Sequence, residues 1–122
     1  MKALALIVMV ATLYSMPAIP VFSAEPAAPS ADLDRRVSGF LANSRSSWTD
    51  MNVPYEDGKI LHDLVLKGHF TRILEIGTST GHSTIWLAWA AAKTGGKVTT
   101  IEIDRGRHET ALRNFKKAGV DR

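Results

Sequence analysis

The chain has 122 residues, a length that suits one domain at most. Apolar residues make up 45% of it, as in ordinary globular proteins, and the net charge of +3 is scattered, so nothing favours nucleic-acid binding. Cysteine is absent, which excludes a disulfide framework, a thiolate metal site, a cysteine nucleophile and a lipid-modified lipoprotein.

The first 24 residues have the layout of a secretory signal peptide. A short basic start leads into an apolar stretch over residues 3–13, and small residues and prolines follow. That stretch is shorter than the ~20 residues of a membrane-spanning helix. The layout therefore predicts an exported protein, periplasmic or secreted, cleaved after Ser23 or Ala24; the alternative is an uncleaved membrane anchor. Residues 25–31 are predicted to form a linker.

Two amphipathic helices are predicted at the start of the domain, which covers residues 32–122. The first begins near Ala31, because four apolar residues recur at the spacing of one helix face: Leu33, Val37, Phe40 and Leu41. A polar loop over 43–50 follows, and the second helix covers 55–67 and ends at Gly68 in the left-handed conformation. Its inward side chains are predicted to be Ile60, Leu61, Leu64 and Val65.

Strand and helix patterns then alternate. Strand 71–76 is apolar on both faces, as in strands buried between helix layers, and the mostly apolar helix 83–93 follows it. Strand 97–103 and helix 107–118 complete a βαβα unit, with Gly119 as the stop. The last helix is predicted to turn three side chains inward: Ala111, Leu112 and Phe115. The order predicts an α/β fold, a Rossmann-like doubly wound parallel sheet present as its N-terminal βαβα part with two preceding helices.

A two-stranded parallel sheet leaves both edges open and buries little apolar surface. The pattern therefore predicts the front half of a larger α/β domain, either a truncated product or half of a split gene. We expect such a chain to be poorly stable alone, and a missing C-terminal half or a second copy of the chain is its expected partner.

Acidic side chains occur at the carboxyl ends of both predicted strands, the edge where open α/β sheets bind ligands. Glu102 can accept hydrogen bonds from both hydroxyls of a ribose. Gly77 and Gly81 let the backbone approach a ligand, and Ser83 can cap the next helix or bind a ligand carboxylate there. The alternatives for Glu75 are loop capping or an ion pair with Arg72, and for Glu102 an ordinary solvated position.

The glycine spacing bears on the identity of that ligand. The loop reads Gly77-x-x-x-Gly81, which departs from the G-x-G-x-x-G spacing of nicotinamide-dinucleotide sites. A nicotinamide-dependent oxidoreductase is therefore kept only as an alternative function.

Several motifs together resemble the class I S-adenosylmethionine (SAM)-dependent methyltransferases. The pattern E-x-G-x-x-x-G is followed by a strand ending Glu-Ile-Asp. Within that class, residues 50–122 resemble the catechol O-methyltransferase-like O-methyltransferases. The motifs that carry this resemblance are Met51-Asn52-Val53, Gly58-Lys59-Ile60-Leu61, Leu74-Glu75-Ile76-Gly77, Gly81-His82-Ser83 and Thr100-Ile101-Glu102-Ile103.

The resemblance implies a SAM site. Glu75 would hold the ammonium of SAM directly or through the loop, and Ser83 would hydrogen-bond its carboxylate. Glu102 would bind the ribose hydroxyls, and Ile103 would pack on adenine. The methionine part would lie against Asn52, Val53, Gly77, Thr78, Ser79 and Gly81. His82 stands where such proteins often have tyrosine, so its role stays open.

The implied activity is transfer of a methyl group from SAM to a hydroxyl of a small molecule. In the resembled family the general base and the ligands of a divalent metal lie further along than the second helix pair, so the catalytic residues are unknown. The four histidines lack metal-ligand spacing and are expected on the surface or in loops: His62, His69, His82 and His108. Because SAM is made in the cytosol, an exported non-catalytic remnant or binding module is the alternative.

Three further aromatic residues and one acid are given structural roles. The tryptophans are expected to be packing residues rather than a base-stacking platform: Trp48, Trp86 and Trp89. Asp104 is expected to cap the last helix.

Overall fold

The computed structural model describes residues 31–49 and 51–121, and the predicted signal peptide and most of the linker lie outside them. No helix in this described part has the length and apolar character needed to cross a membrane. Its elements follow the predicted order: α1 (Ala31–Ser44), α2 (Tyr55–Gly68), β1 (Arg72–Ile76), α3 (His82–Thr94), β2 (Lys97–Ile101) and α4 (Arg105–Ala118).

The two strands form a parallel pair connected through α3, which confirms the predicted α/β unit. Arg72 lies opposite Lys97, and Ile76 lies opposite Ile101. β2 is shorter than predicted, so Glu102 follows the strand instead of ending it. The carboxyl ends of both strands therefore meet at one edge, beside the loop that enters α3.

Two apolar clusters hold the layers together. One joins α1, α3 and α4 through buried side chains with Trp48 and Trp89 packed against it: Val37, Leu41, Ile85, Trp86 and Ala118. The other places Ile73 and Val98 of the sheet against buried side chains of α2 and α3: Val65, Leu87 and Ala90. The tryptophans are thus packing residues, as predicted.

The helix faces depart from the prediction at three positions. Ile60 and Leu64 of α2, and Leu112 of α4, are exposed, although their spacing predicted inward positions. Val65 is buried and Leu61 is partly buried, as predicted. In α2 the reason is that the helix packs on α3 through the side that carries Val65 and Leu61, so Ile60 and Leu64 on its other side stay exposed.

The end of α2 also differs from the prediction. Gly68 is the last residue of the helix, and His69 takes the left-handed conformation, with φ 49°. A Cβ at Gly68 would lie 2.4 Å from Cζ of Phe70, but the Phe70 side chain is 53% exposed and can move aside. The N–H of His69 donates to the carbonyl of Leu66 at 3.2 Å and so completes the helix end.

One face of the sheet is bare, contrary to the prediction that β1 is buried on both sides. Leu74 is 65% exposed and Ile76 is 79% exposed, because in the described part the helices pack on the opposite face of the sheet, where Ile73 and Val98 lie. The expected low stability of the chain alone stays a prediction, and this bare apolar face is its physical basis.

The exposure of Leu74 leads to a stability prediction. Replacing Leu74 with Thr should change the free energy of unfolding by less than about 0.5 kcal/mol, because little apolar burial is lost and Thr suits a strand. Replacing the fully buried Ile85 with Ala should cost about 2–5 kcal/mol. Urea denaturation of both variants measures the difference, and a loss above about 1 kcal/mol for Leu74→Thr would mean that this face is covered.

Candidate functional site

The loop after β1 crosses the carboxyl end of β2. The N–H groups of Gly77 and Thr78 donate to the carbonyl of Ile101 at 2.8 and 3.2 Å. Gly77 and Gly81 have φ of 94° and 99°, so both predicted glycines take a conformation that side chains disfavour. A Cβ at Gly77 would meet no atom within 4 Å, and the backbone therefore faces open space on that side.

Glu75 lies beneath the loop and accepts hydrogen bonds from three hydroxyls. The hydroxyl of Ser83 donates to Oε1 at 2.5 Å, that of Thr100 donates to Oε2 at 2.6 Å, and that of Thr84 also donates to Oε2. These contacts join β1, β2 and the first turn of α3. Glu75 therefore binds these hydroxyls in the structure and does not form the ion pair with Arg72 that was the alternative.

Ser83 does not cap α3, and this part of the prediction was wrong. The N-cap residue is Gly81, which has no side chain to form a cap. The single hydroxyl proton of Ser83 is directed at Glu75, so binding a ligand carboxylate would require Ser83 to exchange partners. The sequence could not show this competition, because it depends on the distance between β1 and α3.

Glu102 is fixed at the carboxyl end of β2 by two backbone groups. The N–H of Asp104 donates to Oε1 at 2.9 Å, and the N–H of Ser79 donates to Oε2 at 2.7 Å. The N–H of Asp104 has the largest effect in lowering the pKa of Glu102, and the N–H of Ser79 lowers it further. The side chain is therefore a carboxylate at neutral pH. Each oxygen keeps a further lone pair for a ligand donor.

Two neighbouring residues complete the surroundings of Glu102. Ile103 is 100% exposed beside it, an apolar surface next to an acid. Asp104 caps α4 as predicted, because its Oδ1 accepts from the N–H of Arg107 at 2.7 Å.

The segment before α2 attaches to the far side of the loop. Asn52 Nδ2 donates to Thr80 Oγ1 at 2.7 Å, and Asn52 Oδ1 accepts from the N–H of His82 at 3.4 Å. Asn114 of α4, which sequence reasoning missed, donates to the carbonyl of Thr80 at 2.9 Å. The loop is thus held by the segment before α2, by α4 and by the end of β2.

His82 is completely buried, so the expectation of a surface or loop position was wrong. Its ring stacks on Trp48 with 4.2 Å between centroids and 16° between planes. Nδ1 lies 2.8 Å from the carbonyl oxygen of Val53, and the indole N–H of Trp86 donates to Nε2 at 3.3 Å. Its place directly after Gly81 at the start of an apolar helix was the one signal of burial.

Burial makes His82 a source of pH dependence. It lowers the pKa of His82 below the ordinary 6.5, and the carbonyl of Val53 opposes this only in part. The unfolded chain therefore binds a proton that the folded protein excludes, and stability should fall as the pH drops below 6.5 towards the folded pKa. Urea denaturation at about pH 7.5 and about pH 5.5 measures this loss, which His82→Phe should abolish; equal stability of the wild type at both would contradict it.

The residues at this edge fit SAM better than a metal ion. Within residues 31–49 and 51–121, no three side chains of the metal-binding kinds are placed to hold a metal. Glu102 offers acceptors for a diol, and Gly77 presents backbone to open space. Most predicted site residues meet at this loop: Asn52, Glu75, Gly77, Thr78, Ser79, Gly81, Ser83 and Glu102. Val53 is linked to the loop through His82, and Ile103 follows Glu102 with its side chain fully exposed.

A parallel βαβ unit with a glycine loop between two fixed carboxylates defines a nucleotide-cofactor-binding α/β domain. The family model described as O-methyltransferase matches residues 32–122. The caffeoyl-CoA O-methyltransferase of Populus kitakamiensis is 39% identical over 75 residues, which are 62% of this chain and 32% of that protein. The catechol O-methyltransferase of Mycobacterium tuberculosis is 43% identical over 68 residues, which are 56% of this chain and 30% of that protein.

Solved structures agree with the family match. The O-methyltransferase from Bacillus cereus in complex with SAH has 32% identity and a TM-score of 0.56, covering 73% of this chain and 39% of that one. An O-methyltransferase from Streptomyces achromogenes involved in tomaymycin synthesis, in complex with SAM, has 36% identity and a TM-score of 0.56, covering 75% and 39%.

The chain therefore belongs to the O-methyltransferase family, and its fold is the predicted Rossmann-like one. It spans 30–32% of the length of the curated relatives described above.

Proposed function

We propose that the chain is the cofactor-binding part of a SAM-dependent O-methyltransferase that acts on a hydroxyl of a small molecule. The observation that carries the proposal is the pair of carboxylates, Glu75 and Glu102, fixed on either side of one glycine loop at the carboxyl edge of the sheet. Relatives solved with SAH and SAM support the choice of cofactor over a nicotinamide dinucleotide.

The residues of this chain would act on the cofactor by binding and orienting it. Glu102 would accept hydrogen bonds from the ribose hydroxyls, while its two backbone donors keep the side chain in place. Gly77 would allow close approach of the methionine part, and the charge of Glu75 would favour the ammonium. The cofactor supplies a methyl group on a sulfonium, which is open to attack by a hydroxyl oxygen.

The acceptor side of the reaction is assigned to no residue of this chain. Among residues 31–49 and 51–121, no three side chains of the metal-binding kinds are placed to hold the divalent metal that the resemblance implies. Relatives named for caffeoyl-CoA and catechol support a small hydroxyl-bearing acceptor.

Isothermal titration of the 122-residue chain with S-adenosylhomocysteine (SAH), and separately with NAD⁺, tests the cofactor. We expect one SAH per chain and no heat of binding from NAD⁺. Binding of NAD⁺ without SAH would favour the oxidoreductase alternative, and binding of neither would refute a cofactor site in this chain.

We also propose export, on the basis of the signal-like layout of residues 1–24. Mass spectrometry of the native protein from cell fractions tests it. A mature chain beginning at Ala24 or Glu25 in an exported fraction is expected, and a chain that keeps residues 1–24 in the cytosolic fraction would contradict it. A chain that keeps those residues in the membrane fraction would favour the anchor.

A further inference from the structure

We propose that His82 is a positioning residue that locks the 52–53 segment onto the glycine loop, and that it does so only as the neutral tautomer with its proton on Nδ1. The inference rests on the proposed function, because the loop matters as the cofactor site. The inference gives a role to His82, which takes part in none of the cofactor contacts proposed above.

The partners of the two ring nitrogens allow one protonation state. The indole N–H of Trp86 is a donor only, so Nε2 of His82 must accept and carries no proton. The carbonyl of Val53 is an acceptor only, so Nδ1 must donate at 2.8 Å. A second proton on the ring would set two N–H groups against each other at Nε2. The ring is completely buried, so water cannot take over either contact.

The locked ring transmits its position to the loop through adjoining residues. Val53 is held by the His82 side chain, and Asn52, the preceding residue, binds both Thr80 Oγ1 and the N–H of His82. Stacking on Trp48 holds the plane of the ring, with Nδ1 facing this carbonyl. The hydrogen bonds of His82 and Asn52 therefore connect the 52–53 segment to the residues that flank Gly81 at two adjacent points.

Two variants of His82 distinguish the effect of its hydrogen bond to Val53 from the effect of its packing on Trp48. His82→Phe keeps an aromatic ring against Trp48 but has no donor for Val53, whereas His82→Asn loses the ring but keeps a donor near the position of Nδ1. The same substitutions at His108, which is exposed on α4, serve as matched controls. SAH affinity is measured for each full chain well below its melting temperature, and imidazole nitrogen chemical shifts are recorded for the wild type.

We expect the SAH Kd to rise about tenfold or more in His82→Phe and less than about threefold in His82→Asn, with no change at His108. A role in packing alone predicts the opposite order. The nitrogen shifts should show a neutral ring protonated at Nδ1 at neutral pH. Wild-type affinity in His82→Phe, or a proton on Nε2 in the wild type, would overturn the proposal.

A third variant and the nitrogen shifts of the wild type extend the test to two further cases. If both His82 variants unfold, Trp86→Phe removes the donor to Nε2 and leaves a smaller aromatic ring beside it. We then expect the ring to keep its Nδ1 proton, which Val53 still accepts, and to take up a second proton at a higher pH than in the wild type; an unchanged titration of the nitrogen shifts would overturn the proposal. If the wild type does not bind SAH, the proposed function fails, whereas the nitrogen shifts still decide whether the lock exists.

Discussion

Replacing Gly81 with Ala should lower the free energy of unfolding by about 2–5 kcal/mol. Two effects add. The residue has φ of 99°, a region that side chains disfavour, and an Ala Cβ would lie 2.6 Å from Cε1 of Phe115. Phe115 packs against the core that joins α1, α3 and α4, so its ring cannot turn away without disturbing that core. Urea denaturation measures the loss.

Gly95 provides the matched control for the first of these effects. It also has positive φ, 70°, but a Cβ there would meet no atom within 4 Å. Gly95→Ala should therefore cost only the conformational part, about 1–2 kcal/mol, and the difference between the variants reports the contact with Phe115 together with the less favourable φ at Gly81. Equal losses in both variants would contradict the close approach of Gly81 to α4.

Replacing Glu102 with Ala should weaken SAH binding by on the order of a hundredfold. The change removes the proposed ribose acceptor and also the carboxylate that accepts from the N–H of Ser79, so the loop loses a contact that shapes it. Isothermal titration with SAH measures the effect. Stability should change little, because Glu102 is solvated and interacts with the backbone of its own edge.

Two further variants test the cause of that loss. Glu109→Ala removes an exposed glutamate of α4 whose partner is Arg105, and its SAH affinity should match that of the wild type. Glu102→Gln keeps one acceptor oxygen but sets an amide donor near the N–H of Ser79 or Asp104, so an intermediate loss is expected. Unchanged affinity in Glu102→Ala would remove Glu102 from the site.

The order of elements and the place of the site follow from local sequence signals. Apolar periodicity and glycine stops are properties of neighbouring residues, so they identified α1 to α4 and the sheet. The two acids at the strand ends then placed the loop between them, because parallel strands bring their carboxyl ends to one edge. Even here the strand end was wrong, since Ile103 is apolar in sequence but completely exposed.

The predictions that were wrong depend mainly on contacts between segments that are far apart in the sequence. An apolar side chain in a pattern indicates a face that suits burial but not what covers it, so Leu74 and Leu64 were placed inward although nothing in the described part covers them. His82 is buried between Trp86, which lies four residues further along the same helix, and Trp48 and Val53, which belong to distant segments that the sequence around His82 does not indicate.

The polar partners of the site were hidden for the same reason. The three hydroxyls on Glu75 come from β2 and α3, and Asn114 reaches the loop from α4. The sequence thus predicted which residues meet at the edge, but not how their hydrogen bonds are distributed.

The central claim is that the 77–81 loop between Glu75 and Glu102 binds SAM. A proton–nitrogen correlation spectrum of the 122-residue chain, titrated with SAH, tests it residue by residue. We expect the largest amide shifts at Gly77, Ser79 and Ile103, with small shifts on the exposed face of α2. Shifts concentrated elsewhere, or none at saturating SAH, would contradict the claim.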